Sequence, residues 1–267
     1  MSVNSFDAIA TEYDLSFSES KIGKAQRNQV HAFLNEGLGQ KTALNILELN
    51  CGTGIDAIYL AAKNHKVLAT DISEGMIDLV NDKIKTFHLA DHIQTKVMDI
   101  KQLEYLTPEI TYDLIFSNFG GFNCLSPSEI QKVSKELARL LADKGQFIAV
   151  VMPGFCLWET LYFLAKLSIK KAFRRFSKKP IPANLDAQTT VNTWYYSPGR
   201  FFNLLRNEFK FSKKRPIGFF IPPSYLTWIA QRTPRFFNVL VSLEKRFANL
   251  SLLAFASDHY YIEVTQK

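Results

Sequence analysis

The chain has 267 residues, enough to bury one sizeable core of about 150–200 residues plus an elaboration. Its 32 Lys and Arg against 25 Asp and Glu leave a net charge of +7, basic but below the level of a dedicated nucleic-acid protein. Three cysteines, Cys51, Cys124 and Cys156, are too few for a disulfide framework and lack metal-like spacing, so buried thiols in a reduced, cytoplasmic protein without a metal are expected.

The first residues, Met1 to Asp7, show no basic region followed by an apolar one, so no signal peptide is expected. From about residue 44 to 151, short β-rich apolar runs alternate with helical stretches. Strands are predicted at 44–49, 66–71, 93–98, 112–117 and 146–151, with helices near 54–64, 74–87 and 127–142. Such alternation implies parallel βαβ units. Ser126-Pro127-Ser128-Glu129 reads as a capping box with proline at the first helical position, and Asp143-Lys144-Gly145 as the stop before the fifth strand. The nearest approach to a membrane span, 147–165, is broken by Pro153-Gly154 and charged by Glu159, which argues against a transmembrane helix.

Beyond Val151 the pattern changes. Residues 155–179 are apolar and then basic, and 185–196 are polar and aromatic. Ser197-Pro198 opens a helix over 198–208, and a strand follows near 209–220. Pro222-Pro223 and Thr233-Pro234 bracket helices up to about 250, and 258–264 reads as a last strand. The expectation is an α/β fold: a doubly wound, mostly parallel, seven-stranded Rossmann-like sheet in a single domain over 1–267. Its core is 40–151, 197–220 and 257–267, and insertions 152–196 and 221–256 pack together as a helical lid.

The segment Ile46-Leu47-Glu48-Leu49-Asn50-Cys51-Gly52-Thr53-Gly54 is an apolar run that passes through a carboxylate into a glycine turn, where backbone can approach a ligand at a helix N-terminus. Gly52 to Ala57 also satisfies the Gly-x-Gly-x-x-Ala of dinucleotide-binding proteins, a weak signal alone. Glu48, at the strand end, departs from the dinucleotide pattern. Asp71, at the end of the second strand, can accept two hydrogen bonds from a ribose diol, which serves either cofactor.

Taken together, Glu48-x-Asn50-x-Gly52-x-Gly54, Asp71-Ile72-Ser73-Glu74-Gly75-Met76 and Val97-Met98-Asp99-Ile100 resemble the motifs of class I S-adenosylmethionine-dependent methyltransferases of the small-molecule type. Asn50 stands where that family usually has glycine; Asn is the non-glycine residue that best tolerates left-handed backbone. The resemblance implies S-adenosylmethionine as cofactor and a binding set of Tyr13, Glu48, Asn50, Cys51, Gly52, Gly54, Asp71, Ile72, Met76, Asp99, Ile100 and Asn118. Ser73 would cap the following helix, Met76 would lie beside the adenine, and Asp99 would accept from its amino group. Tyr13, in the segment Phe6 to Asp14 that would fold over the cofactor, would approach the methionyl carboxylate. Asn118, largely through its backbone, would touch the methionyl part. The loop Asn118-Phe119-Gly120-Gly121-Phe122-Asn123 lacks the tetrapeptide of enzymes that methylate nucleobases or glutamine; its two glycines either leave room for a bulky acceptor or form a tight turn.

Methyl transfer needs alignment of an acceptor atom and exclusion of water, with a general base for an N or O acceptor of high pKa. His259, Asn123, Tyr195 and Tyr225 are the candidates for contact with the acceptor. Strand alternation puts Asp258 on the face opposite His259 and so poorly placed to orient it.

Between Lys166 and Lys179 seven cations are interleaved with Leu167, Ile169, Phe173 and Phe176, so 161–179 reads as a basic amphipathic helix. It fits a solvated lid face, a peripheral membrane contact or RNA phosphates. The 22 Phe, 10 Tyr and 3 Trp favour an apolar acceptor pocket over an electrostatic groove. The expected activity is therefore methyl transfer to a small apolar or aromatic metabolite, ahead of an RNA methyltransferase or a non-catalytic cofactor-binding module.

Overall fold

The computed structural model describes residues 19–107, 111–184 and 190–267. A seven-stranded sheet runs in the order β3-β2-β1-β4-β5-β9-β8, beside a two-stranded ribbon β6-β7. The strands are β1 Asn45–Leu49, β2 Lys66–Asp71, β3 Ile93–Val97, β4 Tyr112–Ser117, β5 Leu141–Val151, β6 Ile181–Asn184, β7 Thr190–Thr193, β8 Phe209–Ile217 and β9 His259–Gln266. β1 to β5 are parallel, and β9 lies antiparallel between β5 and β8. This is the expected doubly wound, mostly parallel sheet. Strand order reverses at β1 and β4, and in such sheets ligands bind beyond the carboxyl ends of the strands at that switch point.

The helices are α1 Lys21–Leu38, α2 Ile55–Ala61, α3 Glu74–Thr86, α4 Pro127–Leu140, α5 Leu157–Ala165, α6 Ile169–Ala172, α7 Pro198–Leu205, α8 Thr227–Arg232 and α9 Pro234–Arg246. Residues of β1 divide between the two faces. Ile46 joins Val30, Phe33, Leu60 and Val80 from α1, α2 and α3, whereas Leu47 and Leu49 join Ile130, Leu137 and Phe201 from α4 and α7. Because both faces are covered, β1 is an almost unbroken apolar run. A Leu47→Ala cavity there would cost about 2–5 kcal/mol.

Local chemistry sets the helix starts. Ser126 Oγ accepts from Glu129 N–H at 3.3 Å while Glu129 Oε2 accepts from Ser126 N–H at 2.7 Å, completing the capping box of α4. Ser73 Oγ accepts from Met76 N–H at 3.1 Å at the start of α3.

Three sequence expectations are corrected. Asp143-Lys144-Gly145 is not a stop before the fifth strand. α4 ends at Leu140, β5 begins at Leu141, and the three residues form an irregularity within it where the register to β4 shifts, with Lys144 at φ 62°. Residues 161–179 are not one amphipathic helix. The chain breaks after α5 at Leu167 (φ 54°), resumes as the single turn α6, and ends in a 3-10 turn over Arg174–Phe176. The break follows from charge: Arg174 and Arg175 both turn back to Glu159, which a continuous helix facing solvent would not allow. Nor is the first insertion wholly helical, since it closes with the β6-β7 hairpin.

The second insertion touches the first through Tyr225, whose ring meets Tyr162 and Phe163. Its helices instead pack on α1, where Ala230 and Phe237 meet Ile22. Glu244 of α9 accepts from four successive backbone N–H groups, Gly218 to Ile221, and so pins the loop after β8. Among the described residues no helix is long and apolar enough to cross a membrane.

Candidate active site

A cavity of about 1080 Å³, its open mouth included, lies beyond the carboxyl ends of β1, β2, β3 and β4. Asn50, Gly52, Asp71, Ile72, Met76, Asp99, Ile100 and Asn118 line it. Glu48, Cys51 and Gly54 stand behind the lining. Tyr13 and the rest of Phe6 to Asp14 lie outside the described residues.

The loops are stitched together by Asp71. Its Oδ2 accepts from Gly52 N–H at 2.9 Å and its Oδ1 from Ser73 N–H at 3.0 Å, which ties the end of β2 to the turn after β1. Asp99 Oδ1 accepts from Lys101 N–H at 2.9 Å and caps a 3-10 turn over Ile100–Tyr105. Asn118 spends its side chain on Asp56 (2.9 Å) and on Phe119 N–H (3.0 Å), which leaves its backbone for the cavity.

Asn50 adopts φ 55°, the left-handed backbone its position calls for. Its side chain is accommodated by Gly121: a Cβ there would stand 2.5 Å from Asn50 Oδ1. The departure from glycine at 50 is thus matched by a glycine across the cavity. Of the two open readings of Gly120-Gly121, Gly120 supplies a turn at φ 85° while Gly121 makes room for Asn50. Gly54, at φ 74°, sits where a Cβ would come 2.8 Å from Val80 Cγ2, so α2 and α3 can approach closely only with glycine there.

Behind the turn lies a charged cluster. Burial, followed by the charges of Asp56 and Asp71, pushes the Glu48 carboxyl well above the usual range, with Arg27 opposing. Burial also works against Asp56, but Arg27 and the bonds from His31 (2.6 Å) and Asn118 outweigh it and hold that carboxyl at about 2. Arg27 Nε lies 3.5 Å from Asp56 Oδ1, and its guanidinium stands 5.3 Å from the centre of the Phe119 ring. Glu48 Oε2 and Arg27 Nε and Nη1 are buried without hydrogen-bond partners. A buried carboxyl oxygen and guanidinium N–H groups that lack hydrogen-bond partners, beside the cavity, suit a zwitterion such as an amino-acid moiety. With the Asp71 diol acceptor, this donor set fits S-adenosylmethionine.

The family comparison agrees. The methyltransferase-domain family profile matches residues 46–145. The chain carries a class I S-adenosylmethionine-dependent methyltransferase domain. It is 25% identical over 210 residues to the malonyl-[acyl-carrier protein] O-methyltransferase of Bacillus cereus, covering 76% of this chain and 67% of that one. It is 24% identical over 143 residues to the demethylmenaquinone methyltransferase of Clavibacter sepedonicus, 54% of each chain, so it spans about half of that relative's length. An S-adenosylmethionine-dependent methyltransferase structure from Clostridium acetobutylicum shares the fold at 13% identity and TM-score 0.56, with 91% of each chain covered. The methyl donor of this domain is S-adenosylmethionine, a sulfonium that carries its methyl already activated.

The methyltransferase cavity is closed by Phe119, Gly120 and Gly121 of the loop after β4 and by residues that the motifs did not point to: Cys124 and Leu125, Met152 after β5, and Ala183, Val191 and Thr193 of the hairpin. Met152 was findable as the residue following a parallel strand's carboxyl end. The hairpin residues carry no local signal, and neither does Arg27.

None of the four acceptor-contact candidates lines the cavity. Asn123 ties the roof together instead: its Nδ2 donates to Met152 O (3.1 Å) and Trp194 O (2.5 Å), and its Oδ1 accepts from Met152 N–H (2.8 Å). Tyr195 is buried with Arg175 5.2 Å over its ring, and Tyr225 points its hydroxyl at Glu159. His259 is one ring removed, edge-on to Phe119 at 5.3 Å. The expectation that Asp258 faces away from His259 is corrected. The two approach to 3.3 Å, because Asp258 precedes β9 and strand alternation does not apply to it. Although burial opposes its charge, His259 and Arg175 hold the Asp258 carboxyl far below its usual range.

Proposed function

We propose that the protein methylates a small apolar or aromatic metabolite. In this reading Asp71 receives the ribose diol of the donor, Met76 and Ile100 flank the adenine, and Asp99 accepts from its amino group. Glu48 and Arg27 face the ammonium and carboxylate of the amino-acid end, and the turn from Asn50 to Gly54 supplies backbone close to it. Residues 152–196 act as the lid over the methyl group.

One observation carries the acceptor class. Among the described residues the only charged side chains lining the cavity are Asp71 and Asp99, both on the donor side, and the roof presents Phe119, Leu125, Met152, Ala183 and Val191. Such a surface suits an apolar ring or chain and offers no cation for a phosphate backbone. On the roof side the one ionisable lining group among the described residues is Cys124, whose thiol burial pushes up to about 12, so it takes no part as a base. The acceptor is accordingly one that arrives nucleophilic, such as a carboxylate or an acidic phenol already ionised in solution, and the protein aligns it rather than deprotonating it. Access from a membrane surface through 161–179 fits an acceptor of this polarity.

The test is transfer of label from methyl-labelled S-adenosylmethionine in a cell extract. Label in the organic-solvent-soluble fraction is expected. Label in RNA instead would refute the acceptor class, and tight donor binding with no label in any fraction would make the protein a binding module.

A further inference from the structure

The insertion between Met152 and Ala183 carries its own exposed surface, on the chain that roofs the cavity. Leu167 is 91% exposed, Ile169 66%, Phe176 59% and Leu161 55%, with Phe173 also exposed. Leu167 forms the corner between α5 and α6, where the chain turns through left-handed backbone. Five exposed lysines, Lys166, Lys170, Lys171, Lys178 and Lys179, lie among these residues. The stretch 160–184 contains no Asp or Glu, and Glu159 is consumed by Arg174 and Arg175 in the interior. Every exposed charge on the segment is therefore positive.

A second copy of the chain would place lysines against lysines. RNA would be served by the cations but not by Leu167, Leu161 and Ile169, the aliphatic side chains that stand farthest out. A surface where apolar groups and lysines alternate matches the boundary of a bilayer, where acyl chains meet anionic headgroups. We infer that the knuckle Leu161–Lys179 docks the protein on an anionic membrane, with the α5–α6 corner inserted and the lysines on the headgroups. The docking site and the cavity roof are one continuous insertion, so docking sets the β6-β7 hairpin at the lipid boundary, where an apolar acceptor partitions. The inference rests on the proposed apolar acceptor for its purpose but not for its geometry.

Co-sedimentation with phosphatidylcholine vesicles, with and without phosphatidylglycerol, tests it. The intact protein should pellet with the phosphatidylglycerol vesicles and stay in solution with phosphatidylcholine alone. The variant Leu167→Asn/Ile169→Gln/Phe173→Gln should bind about tenfold or more weakly, while its melting temperature and its affinity for S-adenosylhomocysteine stay unchanged. Asn suits the left-handed backbone at 167. Absence of vesicle binding at low salt, an unaffected triple variant, or salt-sensitive capture of an RNA oligonucleotide in place of vesicles would each overturn the inference. A failed label transfer to lipophilic acceptors would leave the vesicle result intact, so the two proposals fail separately.

Discussion

The floor of the cavity is made of backbone and short side chains at strand ends, whereas its roof is held by long side chains reaching across the sequence. On the floor, Asp71 grips the N–H of Gly52 in the loop of the neighbouring parallel strand and that of Ser73 in its own. In the roof, Arg175 joins Glu159, 16 residues away, to Asp258, 83 residues away, with both bonds at 2.9 Å and buried. Floor contacts are thus short-range and built on strand ends, while roof contacts depend on residues far apart in the sequence. In the proposed function the floor fixes the donor and the roof selects the acceptor, and the contrast separates the two roles.

The comparison can be broken at either end. Asp71→Ala should weaken S-adenosylhomocysteine binding by about 100-fold or more, because two charged hydrogen bonds are lost, with the roof intact; calorimetry checks this, and an unchanged affinity would remove Asp71 from the ribose site. Arg175→Ala removes the buried guanidinium that bridges Glu159 and Asp258 and leaves them Arg174 and His259 as charged partners, an expected loss of about 3 kcal/mol in denaturant unfolding. Donor affinity in that variant should hold within about threefold, since the floor does not depend on the pair. A variant that loses both together would show that floor and roof are not separable.

A subtler test sits where the two meet. Gly121→Ala brings a methyl against Asn50 and should cost about 1–3 kcal/mol in donor binding or stability. Asn50→Gly in the same chain should restore most of it, because the clash is with that one side chain. Asn50→Gly alone should leave donor affinity equal or better. Smallest is a proton-linked effect at Glu48. Its carboxyl is raised by burial and by Asp56 and Asp71, and a bound ammonium favours the ionised form. Donor affinity should therefore rise with pH above the ordinary carboxylate range, by at most about tenfold per unit, and level off once Glu48 ionises. In Glu48→Gln titrated by calorimetry, the slope should vanish.

The difference between floor and roof also explains what the sequence could convey. The doubly wound sheet was legible in the alternation of strands and helices, and the cavity's floor in strand-end acids and glycines at fixed spacing, which are local signals: Asn50, Asp71, Met76 and Asp99 all line the cavity. The roof was not legible. Seven cations among apolar residues read as a solvated amphipathic helix, since nothing in a one-dimensional pattern shows that Glu159 recruits Arg174 and Arg175 inward. Asn123 read as an acceptor contact for the same reason: the Met152 and Trp194 backbone groups that claim its amide lie 29 and 71 residues away. Arg27 is an unremarkable helix residue until the fold brings it to Asp56.

The most direct test of the account is a crystal structure with S-adenosylhomocysteine. It should show both ribose hydroxyls on Asp71, the adenine between Met76 and Ile100, the amino-acid end beside Glu48 and Arg27, and the sulfur facing Met152 and the β6-β7 hairpin. A ribose held elsewhere, or a sulfur turned away from that roof, would contradict it.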